Sequence, residues 1–174
     1  MIDTPSAFTI SRSFDAPRAL VFKVFSQAEH LARWWGPAGW EWVKGDLDFR
    51  PGGQFHYCMR LAGGPEMWGK FLYREIEAPR RIVFINGFSN AAGELTRHPM
   101  APTWPLEVIN ELTLQEQDGG TLLTLRGEPH NASAIERQTF VAGFESMRMG
   151  FGGTLGQLQA YLATLSTAGA TETP

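Results

Sequence analysis

The chain has 174 residues, of which 43% are hydrophobic and 19% charged, so its length and composition fit one compact domain. Fifteen lysine and arginine residues stand against eighteen aspartate and glutamate residues, a net charge of −3. This balance argues against the basic surface needed to bind nucleic acid or an anionic membrane, and we expect neither as a partner. Residues 1–6 lack the features of a secretory signal, so we expect a cytoplasmic protein.

Aromatic residues are abundant, with 12 Phe, 6 Trp and 3 Tyr in the chain. Each of these side chains buries a large apolar area. An ordinary aromatic core is sufficient to explain this composition. A ligand cavity lined by aromatic rings is the alternative explanation.

The first third of the chain predicts one strand followed by two short helices. Apolar and polar residues alternate over 8–14, which is typical of a strand with one buried face. Pro17 then stands where a helix begins, and apolar residues recur at helical spacing over 20–25. A second short helix is predicted over 28–35, and Pro37 prevents its continuation.

Strand patterns separated by turn residues follow. Six further strands are predicted, at 40–49, 54–61, 67–77, 81–88, 106–116 and 120–128. Short glycine-containing turns join antiparallel neighbours, so the pattern predicts an antiparallel meander. The connection Ser89–Pro105 is the exception, because it is long, contains three prolines and shows no periodicity. We interpret it as a candidate lid.

A long amphipathic helix is predicted at the C-terminal end, over 134–165. Ser133 and Glu136 form a capping-box pattern at its start. Its apolar stripe consists of Phe140, Phe144, Met147, Phe151, Leu155, Leu158, Leu162 and Leu165. Gly143 and Gly150 flank the stripe, and they indicate either close packing or space left for a ligand, while Gly152-Gly153 allows a kink.

These elements predict an α+β fold. A curved antiparallel sheet of six to seven strands wraps around the long C-terminal helix, and two short helices lie between the first and second strands. We expect one domain over 8–166, with an N-terminal tail at 1–7 and a flexible C-terminal tail at 167–174.

The motifs in this order resemble the START-like helix-grip proteins (SRPBCC, or polyketide-cyclase, superfamily), and within them the branch related to the C-terminal domain of the activator of Hsp90 ATPase. The segments that carry the resemblance are Phe14-Asp15-Ala16-Pro17, Trp34-Trp35-Gly36-Pro37, Asp48-Phe49-Arg50-Pro51-Gly52-Gly53, the strand Met67–Ile76, Asp118-Gly119-Gly120-Thr121 and the helix Phe140–Leu162.

The resemblance implies an apolar cavity between sheet and helix, which relatives use for lipids, hormones, polyketides and other hydrophobic molecules. It also implies a chaperone as a candidate partner. In the activator, however, a separate domain precedes the helix-grip domain, whereas the first strand of this chain begins near residue 8. We therefore expect a small hydrophobic ligand rather than a chaperone.

Two asparagines fall in the inward register of predicted strands. Asn86 alternates with Phe84 and Phe88, and Asn110 alternates with Val108 and its neighbours. Apolar pockets orient their ligands with a few such polar groups. The predicted ligand-binding residues are Trp35, Phe71, Tyr73, Phe84, Asn86, Phe88, Trp104, Asn110, Phe140, Phe144, Met147 and Phe151.

An enzyme of the cyclase, dehydratase or hydrolase type is the first alternative function, and Glu75 and His98 are its weak catalytic candidates. A carboxyl group in an apolar cavity would have a raised pKa suited to acid or base chemistry. Unbroken alternation places Glu75 inward with Tyr73, whereas a strand bulge would turn it outward. His98 lies on the long connection with Arg97 and Trp104.

Neither metal nor nucleophilic chemistry is indicated, and we expect no cofactor. The four histidines show no metal-ligand spacing. Cys58 is the single cysteine, so no disulfide forms. No serine stands in a nucleophile-elbow motif, and Gly150–Gly153 does not follow a strand as a phosphate loop would.

A protein-interaction module is the second alternative function, and the outward face of the predicted strands suggests it. Alternation places His56, Cys58 and Arg60 toward solvent or a partner, because Tyr57 and its alternate neighbours form the apolar set. Trp68 has the same outward parity, and an exposed aromatic patch around it would serve a protein partner or a homodimer. Asp48 and Arg50 are interpreted as a structural charge pair at the first hairpin, and Trp34 as a core residue or part of a cavity rim.

Overall fold

The computed structural model of the protein describes residues 5–170. The first strand, β1, is Phe8–Phe14, and two short helices follow, α1 at Arg18–Ser26 and α2 at Ala28–Trp34. Their apolar faces pack into the core, and the indole Nε1 of Trp34 donates a hydrogen bond of 3.0 Å to the carbonyl of Val24. Trp34 is 1% exposed, so it is a core residue that joins the two helices.

Seven further strands complete an antiparallel sheet. They are β2 (Trp40–Leu47), β3 (Gln54–Leu61), β4 (Glu66–Glu77), β5 (Arg81–Ser89), β6 (Leu95–Thr96), β7 (Glu107–Gln117) and β8 (Gly120–His130). The order across the sheet is β1-β8-β7-β5-β4-β3-β2, with β6 paired to β5. The sheet is curved and does not close, so it can wrap around a helix.

The predicted strands are all present, and one is added. The extra strand β6 lies within the long connection, where Leu95 pairs with Ser89. A single bridge between His98 and Ala101 orders the next part of the connection. The two-residue length of β6 explains why no periodicity marks it in the sequence.

The C-terminal helix is divided in two, contrary to the prediction of one helix over 134–165. Helix α3 is Ala134–Ala142 and helix α4 is Phe144–Ala170. The capping box at Ser133 and Glu136 is confirmed. Helical geometry is interrupted at Gly143, where φ is −88° and ψ is 1°, whereas α4 is continuous through Gly152-Gly153.

Helix α4 extends into the range of the expected C-terminal tail. The remainder of that tail, 171–174, and residues 1–4 of the expected N-terminal tail lie outside the described residues. Between residues 5 and 170, no helix combines the length and the apolar character needed to cross a membrane.

The core lies between the inner face of the sheet and α4. Leu155, Leu158 and Leu162 of α4 are each at most 5% exposed and pack against strand residues such as Phe55 and Leu123. A second, smaller cluster lies at the other end of the sheet, around Phe8, Val108 and Phe140. The predicted helical stripe therefore faces the interior, and it contributes to two clusters that meet at Phe151.

Candidate functional site

Aromatic rings from two neighbouring strands form the floor of a hollow beneath α4. Phe71 of β4 stacks on Phe84 of β5 with ring centroids 4.4 Å apart. The ring of Trp35, which directly follows α2, stands edge-on to Phe71 at 5.1 Å. Phe151 and Leu155 of α4 close the hollow from above. This inner space has a volume of about 40 Å³, enough for a few water molecules.

Two larger spaces adjoin it and open to solvent. One, of about 220 Å³, lies between α4 and the residues Gly36 and Trp68 on the far side. The other, of about 310 Å³, lies beneath the long connection, next to His98 and Trp104. Each is larger than the roughly 150 Å³ cavity that accommodates a benzene molecule.

Asn86 and Phe151 line all three spaces. They therefore mark the junction at which the spaces meet, with Asn86 on the sheet and Phe151 on α4. The three spaces therefore adjoin one another around these two side chains, and together they are called the hollow.

The two predicted asparagines form a pair in this hollow. The side-chain amide of Asn110 donates 2.8 Å to Oδ1 of Asn86 and 3.0 Å to the carbonyl of Val108. Both amide hydrogens of Asn110 are thereby used, and the acceptor oxygen of Asn86 is occupied. Among the described residues no group accepts from Nδ2 of Asn86, so its two hydrogens are available to a ligand.

Two further donors border the same space. The Nε1 of Trp35 is buried beside the Tyr57 hydroxyl, toward which its N–H is directed without the geometry of a full hydrogen bond. Burial raises the pKa of Tyr57 to about 12, an effect that the nearby Trp35 indole partly offsets. The Tyr57 hydroxyl is therefore protonated at neutral pH. It lies over Gly69, where a Cβ would overlap it.

The lining carries no formal charge. In the part of the chain that the structure describes, neither a carboxylate nor a lysine or arginine contributes to any of the three spaces. His98 is the one histidine among the described lining residues, and it lies at the outer end. Burying an ion without a counter-ion is costly, so the geometry suits an uncharged ligand.

Most of the sequence-predicted ligand residues come together here. The residues that line the hollow are Trp35, Phe71, Tyr73, Phe84, Asn86, Phe88, Trp104, Asn110, Met147 and Phe151. Phe140 and Phe144 are not among them. Their rings pack 5.6 Å apart in the smaller core cluster, and Phe144 contacts Phe8 at 5.7 Å, because the helical stripe turns toward β1 at its N-terminal end.

The inward placement of Glu75 is wrong. A register shift between Tyr73 and Glu75 in the pairing of β4 with β5 breaks the alternation. The Glu75 carboxylate instead lies 2.5 Å from Nη1 of Arg81, with 58% of its side chain exposed. Glu75 is therefore outside the hollow, as the alternative of a bulge predicts.

His98, the second catalytic candidate, does border the hollow. Its ring stands edge-on to Phe88 at 4.7 Å. Its Nδ1 accepts a hydrogen bond of 3.0 Å from the backbone N–H of Met100. A neutral ring in this arrangement carries its hydrogen on Nε2, which can donate to a ligand.

Two side-chain contacts link helices to the walls of the hollow. The guanidinium of Arg97, on the long connection, donates to the Glu136 carboxylate at the start of α3. At the opposite mouth, the amide of Gln157 on α4 donates to the carbonyl of Gly36. The candidate lid is thus joined to α3 rather than free.

Side chains on the outer face of β3 and β4 are more buried than the sequence indicated. Cys58 is fully buried, contrary to its expected exposure. Trp68 pairs with it across the strands and is half-buried, stacked 4.9 Å from His56 and 5.1 Å from the Lys44 ammonium. Nε2 of the His56 ring lies 3.0 Å from the carbonyl of Asn90. Trp68 is therefore not part of an open aromatic patch.

The remaining outward residues behave as expected. Arg60 is exposed and lies 2.6 Å from Glu66. Asp48 and Arg50 form an exposed ion pair of 2.9 Å, so the predicted charge pair at the first hairpin is confirmed.

The two flanking glycines have different roles. A Cβ at Gly143 would lie 2.7 Å from the Trp104 ring, so this glycine permits close packing. A Cβ at Gly150 would have nothing within 4 Å, and Gly150 lines the 220 Å³ space. The packing interpretation therefore applies to Gly143, and the ligand-space interpretation applies to Gly150.

Some lining residues are missed by the sequence reasoning. Tyr57, Met59 and Met67 lie on the inner face of β3 and β4, and the alternation that predicts Phe71 would have found them. Thr154 of α4 and Gly69 gave no signal. Whether Thr154 lines the hollow depends on how α4 crosses the sheet. Whether Gly69 does depends on the position of the Tyr57 ring above it.

The chain is similar in sequence and in structure to known proteins. A family model described as "Activator of Hsp90 ATPase homolog 1-like protein" matches residues 15–163. Protein Ms6760 from Mycobacterium smegmatis has a similar structure, with 26% identity, a TM-score of 0.73, and coverage of 92% of this chain and 91% of that one. No curated protein matches the chain.

Two further structures show the same fold. One is the solution structure of a protein from Arthrobacter aurescens, with 24% identity, a TM-score of 0.76, and coverage of 94% of this chain and 91% of that one. The other is the AHSA1 protein from Silicibacter pomeroyi, with 20% identity, a TM-score of 0.69, and coverage of 91% and 98%.

Proposed function

Because the chain belongs to the family of activator of Hsp90 ATPase homolog 1-like proteins, and because the three adjoining spaces have an uncharged lining, we propose that it binds a hydrophobic small molecule between the sheet and α4. The observation that carries the proposal is the position of Asn86 and Phe151, which line all three adjoining spaces. Apolar walls with a few polar groups are typical of small-molecule sites.

The residues of this site are the lining residues of the sheet, α4 and the long connection. Stacked rings such as Phe71 and Phe84 favour a ligand with aromatic or other apolar surface. Binding, rather than catalysis, is the function that we propose, because Glu75 points away and His98 is arranged as a donor.

Native mass spectrometry of freshly purified protein, together with titration of the neutral fluorescent probe N-phenyl-1-naphthylamine, tests the proposal. We expect a retained small molecule or saturable probe binding. Gly150→Phe places a ring in the 220 Å³ space and should reduce probe affinity at least about tenfold. Met149→Phe adds a ring at a position that is 77% exposed and is the matched control.

The proposal is wrong if wild type retains nothing and does not bind the probe. It is also wrong if Gly150→Phe and Met149→Phe bind the probe as well as wild type does. Circular dichroism of each variant separates loss of binding from loss of folding.

A further inference from the structure

The sheet has two edge strands, β1 and β2, which differ in how they are protected. The pairing of β2 with β3 contains a register shift between Trp42 and Lys44, and a bulge of this kind discourages pairing with a further strand. In contrast, β1 pairs with β8 without interruption over Phe8–Phe14. Among residues 5–170 no strand pairs with the other side of β1. An unprotected edge of this type allows a sheet to gain one more strand.

The free edge of β1 presents the backbone groups of Thr9, Ser11 and Ser13. Along a strand, the N–H and C=O groups of successive residues point to opposite sides. The carbonyl of Thr9 accepts a hydrogen bond of 3.3 Å from Nη1 of Arg148 on α4, so it points away from β8. Ser11 and Ser13 have the same parity, and their side chains are exposed and uncharged. This edge therefore offers hydrogen-bonding groups without a charge that would repel a second strand.

Strand β1 is complementary to a second copy of itself. In an antiparallel pair centred on Ser11, this residue faces the partner's Ser11, and Thr9 faces the partner's Ser13. These pairs join the groups that are free on each strand, which allows about six backbone hydrogen bonds. Arg12 faces the partner's Ile10, so no two like charges lie opposite each other.

The charges at the two ends of this strand pair are also complementary. Arg148 lies beside Thr9. Asp15 directly follows β1, is exposed and forms no ion pair within the described part of the chain. Since Thr9 faces the partner's Ser13, Arg148 comes close to the partner's Asp15, and a two-fold axis repeats this contact. An arginine–aspartate pair then lies at each end of the joined strands.

Helix α4 borders the same edge with glycines. Arg148, Gly152 and Gly156 are spaced by four residues, so they lie on one face of the helix. A Cβ at Gly156 would lie 3.6 Å from Nη1 of Arg12 on β1, whereas a Cβ at Gly152 would have nothing within 4 Å. Glycine inside a helix is unfavourable relative to alanine, and the open space at Gly152 leaves room for the partner's Ile10.

From the unprotected edge, its self-complementary register and the charges at its ends, we propose that the protein forms a two-fold symmetric homodimer by antiparallel pairing of β1 with the partner's β1. The two sheets then become one continuous sheet. Arg148 covers the Thr9 carbonyl in the monomer and contacts the partner's Asp15 in the dimer. This assembly does not depend on ligand binding in the hollow.

Sedimentation-velocity ultracentrifugation of the full chain over roughly 1–300 µM tests the proposal, because the dimer fraction depends on protomer concentration. We expect a monomer–dimer equilibrium for the wild-type protein. Ser11→Lys places two lysines opposite each other at the centre of the strand pair and should weaken the dimer about tenfold. Gln115→Lys adds the same charge at an exposed position of β7, two strands away, and is the matched control that should leave the equilibrium unchanged.

Charge reversal tests the contacts at the ends of the strand pair. Asp15→Arg and Arg148→Asp should each weaken the dimer about tenfold. The double variant should recover to within about threefold of wild type, because both ion pairs form again with the charges exchanged. A purely structural role of either residue would give no such recovery. Circular dichroism shows whether each variant is folded.

A protein that stays monomeric over this concentration range would overturn the proposal. So would a dimer that Ser11→Lys does not weaken, because it would form through another surface, such as the face around Trp68. Failure of the folded double variant to recover would overturn the register centred on Ser11. If Ser11→Lys does not fold, the charge-reversal variants still decide the question.

Discussion

Asn110 and Asn86 form a polar bridge inside an otherwise apolar hollow, with Nδ2 of Asn110 2.8 Å from Oδ1 of Asn86. The two residues lie on neighbouring strands, β7 and β5, and Asn110 is 4% exposed. The bridge orients the Asn86 amide so that its N–H groups remain available. The same hydrogen bond therefore joins two strands of the sheet and orients a donor in the hollow.

Replacing Asn110 with alanine should destabilise the protein by about 1–3 kcal/mol, because the acceptors on Asn86 and Val108 lose a buried donor. Urea unfolding followed by circular dichroism measures the change. Gln115→Ala, at an exposed position of β7 without a side-chain hydrogen bond among the described residues, is the control and should change stability little. Equal effects of the two substitutions would contradict the role given to the bridge.

Alanine at the two flanking glycines should have opposite effects. Gly143→Ala forces a Cβ to within 2.7 Å of the Trp104 ring and should lower stability by about 1–3 kcal/mol. Gly150→Ala meets nothing within 4 Å and lies inside α4, so it should raise stability by up to about 1 kcal/mol through helix propensity. Thermal unfolding of both variants checks the signs, and a stabilised Gly143→Ala would refute the packing account.

The free energy of unfolding, measured as the pH is lowered, should reveal the ion pair between Arg97 and Glu136. The guanidinium of Arg97, followed by the backbone and hydroxyl of Ser133, lowers the pKa of Glu136 from 4.5 to about 2. Since the pKa is lower in the folded state, this carboxylate stabilises the protein fully above pH 4.5. That contribution is lost as the pH falls toward 2.

The variant Glu136→Gln should therefore show a smaller decrease in the free energy of unfolding between pH 5 and pH 3 than wild type. Urea unfolding at each pH gives the slope. Glu145→Gln changes an exposed glutamate in the first turn of α4 and is the control. Identical slopes for wild type and Glu136→Gln would show that the link does not form in solution.

The thiol of Cys58 should react slowly with a disulfide reagent in the native protein. The side chain is fully buried, and burial is the main cause that raises the pKa of its thiol. The same thiol should react fully in urea. Trp68→Ala removes the ring opposite Cys58 and should increase the native rate, whereas fast reaction of the wild-type protein would contradict the burial of this strand face.

Glu75 should be dispensable for ligand binding, because its carboxylate pairs with Arg81 on the outside of the sheet. Glu75→Gln should leave the affinity for N-phenyl-1-naphthylamine unchanged. Arg81→Ala should lower the melting temperature more than Glu75→Ala does, because Arg81 also contacts Glu77 and Glu111. A loss of probe affinity in Glu75→Gln would place Glu75 in the site after all.

Local patterns in the sequence were sufficient for most elements of the fold, although not for β6 or for the division between α3 and α4. Period-two alternation identified β1 and the long strands, and the Ser133 and Glu136 pattern located the start of α3. The same patterns also placed Asn86 and Asn110 on the inner face, because a strand without a bulge keeps its alternation along its whole length. The site could be predicted wherever this condition was met.

The failures arose where a neighbouring element changes a local pattern. The register shift near Glu75 depends on how β4 pairs with β5 and has no local signal. Gly143 interrupts the helix next to Trp104, a residue far away in the sequence. Cys58 is buried because Trp68 lies across it from another strand, and exposure of an outer sheet face cannot be derived from alternation alone.

The two contacts that join helices to the walls of the hollow, Arg97 with Glu136 and Gln157 with Gly36, have a kinetic consequence. Neither pair belongs to the apolar floor, yet one holds the long connection to α3, and the other holds α4 to Gly36 beside the 220 Å³ space. Weakening either contact would then shorten the residence time of that molecule more than it changes the equilibrium occupancy. Side chains remote from the ligand would in this way determine how long the complex persists.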